Sequence, residues 1–434
     1  MNAARANVPG PLARFLRVKP DEAKVVTTAF LYAFSILAGY YFMRPVREAI
    51  GSYSDRLHWF YTFTFLATSI AFPAYSFLVA RFPRRTFVAA VYRFFALNIL
   101  FFWWRVQAGD SLRGGLGATF FVWLSVYNLV VVTLMWSNLA DVFDLNQGKR
   151  LFGLIAGGGT LGAVCASWLT GVLVENLDKN QSHHLLLIPA VLLEVAVRLA
   201  RRLKRTASFA SVAPGAGGED IERPTGGGIL AGLALLARSP LLLGIAGYLF
   251  LATLTGTLLY FQQTALVSAS TMSRAERTGF YAGINFWSNL VILPTQALIA
   301  ARLMKRIGLG PTLTIFPALN LIGFACLGFM HGLGASRFFD ITRRSAAFGV
   351  ATPSREALFT MVSREEKYKA KSLIDTVVYR GGDVLVAWIH VILVRHFAWT
   401  GTRLAFAVLP LCALWIGLAL FLGAQHRRRT TLAA

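Results

Sequence analysis

Two arginines near the end of the first apolar stretch are well suited to hold an anion. Tyr40, Arg44 and Arg47 recur at intervals of four and three residues, so a helix places them on one face. Two guanidinium groups on one face form a fork that fits a phosphate or a carboxylate. The alternative is that both arginines lie at the outer rim of the membrane and pair with Glu48, Asp55 or lipid phosphate.

The eleventh apolar stretch carries two acids and an arginine. Asp375, Tyr379 and Asp383 are spaced by four residues, which predicts one shared helix face, and Arg380 lies three residues before Asp383. An acid inside a bilayer can bind a proton or a cation, and an arginine can bind the substrate anion. The alternative is an internal Arg380–Asp383 pair that only stabilises the helix bundle.

The tenth apolar stretch is unusually polar. Asp340 can pair with Arg343 or Arg344, which follow three and four residues later. Arg355 and Glu356 follow at the predicted cytoplasmic end of this stretch. We expect these side chains to form salt bridges that open and close a pathway, with direct substrate contact as the alternative.

Single polar residues in other apolar stretches are further candidate ligands. Arg93 has no acid nearby in the sequence, and it is either a substrate ligand or a cation that extends to the membrane interface. Asn128, Tyr260 and Asn285 can donate hydrogen bonds to a solute. Interhelical hydrogen bonds, which are typically worth ~0.6 kcal/mol each, are the alternative explanation.

Motifs for other kinds of chemistry are missing from the sequence. Gly157-x-Gly159-x-x-Gly162 matches a dinucleotide fingerprint in its letters, but no strand precedes it. Gly153-x3-Gly157 instead predicts close helix packing. The three cysteines occur singly, and there is no phosphate-binding loop, metal motif or nucleophile elbow. The sequence therefore predicts no enzyme, no cofactor and no metal, and transport would draw on solute or ion gradients.

The composition is that of a membrane protein. The 434 residues are 56% hydrophobic and 15% charged, whereas soluble proteins carry about 25% charged residues. A membrane-spanning helix needs about 20 apolar residues, and twelve such stretches are present. They cover residues 24–47, 58–80, 86–106, 117–140, 151–174, 184–203, 240–263, 278–300, 311–331, 337–361, 371–394 and 403–423.

The twelve stretches form two sets of six around a segment rich in Gly, Pro and Ser. This predicts an all-α membrane protein with two pseudo-symmetric halves of six helices, the plan of the major facilitator superfamily. The predicted organisation is an N-terminal tail 1–23, a first half 24–205, a linker 206–228, a second half 229–424 and a basic tail 425–434.

The positive charges predict the orientation. The net charge is +23, and most of the 43 lysines and arginines fall on the side of the two tails and the linker. By the positive-inside rule both termini are then cytoplasmic in a multi-pass protein of the cell inner membrane. This one-sided distribution explains most of the net charge, so we expect no nucleic-acid partner.

Two longer segments and one short one carry a family resemblance. WSNLADVFDLNQGKRLFGLIAGGGTLGA (136–163) and ATPSREALFTMVSREEKYKAKSLIDTVVYRGGD (351–383) resemble the ATP:ADP antiporter (nucleotide transporter) family of the major facilitator superfamily. Met43–Glu48 is similar to that family's basic, acid-containing end of the first span. The resemblance implies twelve helices and exchange of phosphorylated solutes.

The resemblance also assigns residues. Arg47 stands where the nucleotide exchangers have a substrate-binding lysine, and Arg355 and Glu356 stand in place of the Lys-Glu pair of their tenth span. Ser125 stands where they carry a glutamate, so another, smaller anion is an alternative to ATP and ADP.

These observations predict a secondary active transporter for an anionic, nucleotide or phosphorylated solute, working by alternating access with a proton as a further coupling partner. The predicted substrate-binding residues are Arg44, Arg47, Arg93, Arg380, Tyr40, Asn128, Tyr260 and Asn285. The predicted coupling or gating residues are Glu48, Asp141, Asp144, Lys149, Arg150, Asp340, Arg343, Arg344, Arg355, Glu356, Lys371, Asp375 and Asp383.

Three alternatives remain at this point. The first is a proton-coupled efflux pump or metabolite carrier of the same superfamily with a non-nucleotide substrate. The others are a membrane scaffold or receptor that transports nothing, and a membrane-embedded enzyme.

Overall fold

Helices make up nearly all of the structure, a computed structural model. It describes residues 19, 22–82, 84–176, 182–209, 236, 239–359, 362 and 373–433. The predicted N-terminal tail and linker lie almost entirely outside these residues.

The first half of the chain forms six long helices. They are α1 Ala23–Gly51, α2 Leu57–Arg81, α3 Arg84–Gln107, α4 Gly115–Ala140, α5 Leu145–Asn176 and α6 Leu187–Phe209, the last preceded by a 3₁₀ turn at Ser182–Leu186.

The second half contains shorter helical pieces joined by π turns. Its helices are α7 Pro240–Ala269, α8 Arg274–Pro294, α9 Ala300–Ile307, α10 Leu309–Phe329, α11 Leu333–Ala346, α12 Thr352–Leu358, α13 Tyr379–Arg395, α14 Gly401–Ala407 and α15 Leu409–Ala433. The π turns are Thr295–Ile299, Ala347–Ala351 and Ile374–Val378. Two of them connect α8 to α9 and α11 to α12, and the third leads into α13.

The protein is a multi-pass all-α membrane protein. Within the described ranges, no strand occurs and eight helices are long and apolar enough to cross a membrane. The other four predicted stretches, 58–80, 278–300, 337–361 and 371–394, are also helical where they are described. Three of these four contain a π turn, a form that is common at functional sites.

The chain divides into two compact units. The first unit comprises residues 1–47 and Ile70–Arg223, and the second comprises Glu48–Ser69 and Pro224–Ala434. The division between units therefore falls inside α1 and inside α2. The boundaries predicted by counting apolar stretches remain a prediction.

Glycines of α5 let this helix approach α1 closely in the first unit. A Cβ atom on Gly158 would lie 2.6 Å from the carbonyl oxygen of Phe30, and one on Gly162 would meet the backbone of Phe34. Gly153 and Gly157 have open space around them. Close packing of α5 is thus present as predicted, but Gly158 and Gly162 make it, and the predicted Gly153–Gly157 pair was wrong. Glycines occur on several faces of α5, so their spacing alone does not show which face meets α1.

A buried indole organises the core of the second unit. Trp415 of α15 is fully buried and packs edge-on against Tyr248 of α7 and Phe316 of α10, with ring centroids 5.2 and 5.1 Å away. The Tyr248 hydroxyl donates a hydrogen bond to the carbonyl oxygen of Leu313 at 3.0 Å. These contacts join α7, α10 and α15.

The α1–α5 contact can be tested at Gly162. We expect Gly162→Val to lower the free energy of unfolding in detergent by roughly 1–3 kcal/mol, because the new side chain meets rigid backbone. Gly157→Val is the matched control on the same helix and should have a much smaller effect. Equal losses in the two variants, measured by denaturant titration, would contradict the packing.

Candidate functional site

Four buried polar side chains form a closed cluster in the second unit, and we call it the ionic cluster. Its members are Glu48 of α1, Asn285 of α8, and Asp340 and Arg344 of α11. The Arg344 guanidinium binds both oxygens of Asp340 at 2.9 Å. It also lies 3.3 Å from Glu48 Oε1 and donates to Asn285 Oδ1 at 2.8 Å. The Asn285 amide donates to Glu48 Oε2 at 2.9 Å, which closes the ring.

The ion pairs and hydrogen bonds of the ionic cluster satisfy charged and polar groups that are costly to bury. One guanidinium serves two carboxylates, so the four side chains carry a formal charge of −1 when both acids are ionised. Removing one partner of a buried ion pair typically costs about 3–5 kcal/mol. Arg344 therefore holds the cluster together.

Local helix geometry brings these groups together. Asp340 and Arg344 are one turn apart on α11, as their spacing predicts. A capping box at Ser273 and Glu276 fixes the start of α8, three turns before Asn285. The Tyr260 hydroxyl of α7 donates to the Glu48 carbonyl oxygen at 3.4 Å, so a fourth helix contacts the cluster.

The residues that follow Glu48 are anchored to the second unit. Buried Arg277 of α8 donates to the carbonyl and hydroxyl oxygens of Ser52 at 3.1 and 3.2 Å, and its guanidinium stacks on Tyr53. The Trp388 indole donates to Thr62 Oγ1 at 3.1 Å. Sequence reasoning missed Arg277, because nothing in its local sequence distinguishes it from the loop cations beside it.

Arg343 lies next to the ionic cluster but forms no ion pair with a described residue. Its guanidinium rests against Gly256 of α7, where a Cβ would lie 2.6 Å from Nη2. Asp340 and Asp383 attract it electrostatically, yet no described carboxylate lies within ion-pair distance, and its buried Nε has no hydrogen-bond partner. A half-buried guanidinium with unused donors is a site where an anion can bind.

Asp383 is held by a neighbour in space and by one in sequence. Its carboxylate accepts a hydrogen bond from the Thr257 hydroxyl of α7 at 2.5 Å and lies 3.7 Å from Arg380 Nη1. The predicted Arg380–Asp383 proximity is therefore present. Tyr379 and Asp383 are one turn apart on the regular helix α13, as their spacing predicts, and Asp383 is buried whereas Tyr379 is 39% exposed.

The π turn changes the position of Asp375 relative to α13. Ile374–Val378 replaces a regular turn, which rotates Asp375 away from the face that Tyr379 and Asp383 share. Asp375 instead binds Arg355 of α12, with 3.1 Å between Nη1 and Oδ1. Arg355 also lies 3.3 Å from Glu356. The expected Arg355–Glu356 pair is therefore present, and Asp375 is a second acid that binds the same guanidinium.

The arginines of α1 lie in the first unit. Tyr40, Arg44 and Arg47 are all half-buried, as expected for one shared face. Arg44 donates to the Tyr41 hydroxyl at 3.1 Å. The Arg47 guanidinium stacks 3.7 Å above the Phe121 ring of α4, and its Nε donates to the Phe121 carbonyl oxygen at 3.0 Å. The Nη groups of Arg47 make no hydrogen bond to a described residue.

Arg93 has a partner that the sequence did not indicate. Its Nε and Nη2 both donate to Glu194 of α6 at 3.0 Å, and its side chain is 49% exposed. No acid lies near Arg93 in the sequence, and local spacing does not indicate this pair because 101 residues separate its members. Asn128 is half-buried and makes no hydrogen bond within the described part of the chain.

Four further predicted gating residues lie where α4 ends and α5 begins. Arg150 of α5 binds both oxygens of Glu22, at 2.6 and 2.8 Å, and Glu22 was missed by sequence reasoning. Asp144 accepts a hydrogen bond from the backbone of Gln147 at 2.8 Å, which caps the start of α5. Asp141 is half-buried where α4 ends. The Lys149 side chain and Lys371 lie outside the described residues.

Comparison with known proteins identifies the fold. No protein-family model and no curated protein matches the sequence. An aspartate-to-alanine variant of the nucleoside transporter NupG is 14% identical, with a TM-score of 0.60 over 93% of this chain and 99% of that one. NupG itself is 16% identical, with a TM-score of 0.56 over 94% and 99% of the two chains.

A third solved structure agrees. A bacterial homologue of the human lysosomal transporter Spinster, in an inward-facing and unoccupied conformation, is 14% identical, with a TM-score of 0.55 over 96% of both chains. The chain therefore has the all-α fold of the major facilitator transporters, and this prediction is confirmed. The resemblance to the ATP:ADP antiporter family stays a prediction.

The ionic cluster can be tested at its central arginine. We expect Arg344→Met to lower the free energy of unfolding by about 3–5 kcal/mol, because two buried carboxylates lose their counter-ion. Adding Glu48→Gln and Asp340→Asn should recover much of the loss, measured by denaturant titration in detergent. Arg337→Met on the same helix is the control, since Arg337 has no ion pair with a described residue. A triple variant no more stable than Arg344→Met would refute the account.

Proposed function

We propose that the protein is a secondary transporter that moves an anionic, phosphate-bearing solute across the inner membrane by alternating access. The observation that carries the proposal is Arg343, a guanidinium inside the second unit whose Nε has no acceptor. A charge inside a bilayer costs at least ~2.5–3.5 kcal/mol on insertion scales. A bound anion would offset this cost.

Arg47 supports the same substrate class from the first unit. One of its nitrogens is bound to a neutral carbonyl oxygen, and no described carboxylate lies within ion-pair distance of it. Its remaining donors are thus available for a charged ligand. Arg44 on the same face, and Arg380 close to Asp383, are the further cations that we assign to anion attraction.

Ser125 bears on the size and charge of the substrate. It is buried on α4 and donates to the Phe121 carbonyl oxygen at 3.4 Å, the same oxygen that Arg47 contacts. The nucleotide exchangers carry a glutamate at the matching position, which would place a negative charge here. With serine, the cation keeps its full attraction for an anion, and this departure from the nucleotide exchangers is why we consider a small phosphate ester as well as ATP and ADP.

The acids are assigned to coupling. In this proposal Arg344 shields Glu48 and Asp340 in the conformation described here. When α11 shifts, a carboxylate that loses Arg344 takes up a proton, since an ionised acid without a partner is costly to bury. Proton binding would then follow the transport cycle.

A second candidate is a proton-coupled carrier for a neutral solute. Arg343 lies within the attraction of both Asp340 and Asp383, so it can serve as a shared internal counter-ion. An anion is then unnecessary, and the substrate would carry no charge. The two candidates differ in whether Arg343 contacts the solute.

Counterflow in proteoliposomes tests the main proposal. We expect exchange of one or more of inorganic phosphate, sn-glycerol 3-phosphate, hexose 6-phosphate and nucleoside phosphates. Arg343→Gln and Arg47→Gln should each raise the KM about tenfold or more, because a hydrogen bond to a charged group contributes roughly 1.5–3 kcal/mol.

Arg337→Gln is the matched control and should keep the wild-type KM. Thermal unfolding of each purified variant shows whether it is folded. Exchange of uncharged nucleosides with an unchanged KM in Arg343→Gln would reject the anion carrier in favour of the second candidate.

A further inference from the structure

A second cationic site lies in the first unit, away from the residues assigned to transport. A cavity of about 490 Å³ opens between α3, α4 and α6, which is within the size range of ligand pockets. Buried Val88, Ala89, Val197 and Ala200 form its apolar floor.

The rim of this cavity is strongly basic. Arg93 of α3 and Arg201, Lys204 and Arg205 of α6 line it, and its described lining contains no acid. The sequences of α3 and α4 contain no Asp or Glu, and α6 contains only Glu194, which binds Arg93. Within these three helices, Glu194 is therefore the one carboxylate beside the four cations.

An unpaired amide lies in the cavity wall. Asn138 of α4 is 2% exposed, and neither its Nδ2 nor its Oδ1 makes a hydrogen bond. The Tyr32 hydroxyl lies near this amide, but it is bound to the Tyr92 hydroxyl at 2.5 Å. A buried amide without partners is costly. One donor and one acceptor together fit a ligand that carries both a phosphate oxygen and a hydroxyl.

The surroundings indicate a lipid ligand. Phe94 and Leu97 of α3 are 59% and 65% exposed, and Val191 of α6 is 63% exposed, so these helices turn apolar side chains towards lipid. Arg201 and Arg205 lie in the last turns of α6, and Thr86 lies in the first turn of α3. The cavity is thus at the ends of two spans, the level at which phospholipid headgroups lie.

We propose that this cavity binds the headgroup of an anionic glycerophospholipid, with its phosphate between Arg201, Lys204 and Arg205 and its hydroxyl-bearing part at Asn138. Basic pockets at the ends of membrane helices are suited to such headgroups. The acyl chains extend along the exposed apolar faces of α3 and α6. The lipid is a bound structural ligand and is not transported.

The experiment compares lipids in detergent by thermal unfolding and native mass spectrometry. Phosphatidylglycerol is expected to raise the Tm and to stay bound, and phosphatidylcholine is expected to do neither. The variant Arg201→Gln/Lys204→Gln/Arg205→Gln should weaken phosphatidylglycerol binding at least about tenfold, since each cation contributes to the attraction. Asn138→Ala should weaken it as well.

The matched control removes three exposed cations elsewhere. Arg302→Gln/Lys305→Gln/Arg306→Gln on α9 makes the same charge change and should bind phosphatidylglycerol like the wild type. Equal losses in the two triple variants would overturn the site in favour of general surface charge. Equal stabilisation by soluble sn-glycerol 3-phosphate would overturn the lipid assignment.

Discussion

The cost of placing charge among apolar helices governs this structure. Arg344 lies between Asp340 and Glu48, and Asn285 links the two ends of the arrangement, so that four side chains from three helices satisfy one another. If Arg344 is lost, two carboxylates remain buried without a counter-ion. This dependence joins the end of α1 to α8 and α11, and it fixes Glu48 in the second unit.

The remaining cations can be compared by what binds them. Arg93 and Arg150 have carboxylate partners, and Arg277 has carbonyl and hydroxyl oxygens and an aromatic face. Such arginines stabilise the fold. Arg343 and Arg47 have no carboxylate within ion-pair distance among the described residues, and they are therefore the main cations that we assign to a solute.

Departures from regular helix coincide with this polar interior. The three π turns found in the described residues all lie in the second unit. The turns Thr295–Ile299 and Ala347–Ala351 contact each other, where a Cβ on Gly349 would lie 2.7 Å from Thr295 Cγ2. A π turn adds a residue to one turn and so rotates the helix beyond it. This rotation separates Asp375, which binds Arg355, from Asp383, which binds Thr257.

The sequence by itself determined the all-α membrane fold, because apolar stretches of span length leave a chain few other structures in a bilayer. It also determined local pairs such as Asp340 with Arg344, since regular helix spacing fixes which neighbours meet. Only the tertiary structure decided the rest. The partners Glu194, Glu22 and Thr257, the glycines that approach α1, and the unsatisfied state of Arg343 all depend on helices that are distant in the chain. Helical periodicity specifies which face a residue occupies, but not the helix that this face meets.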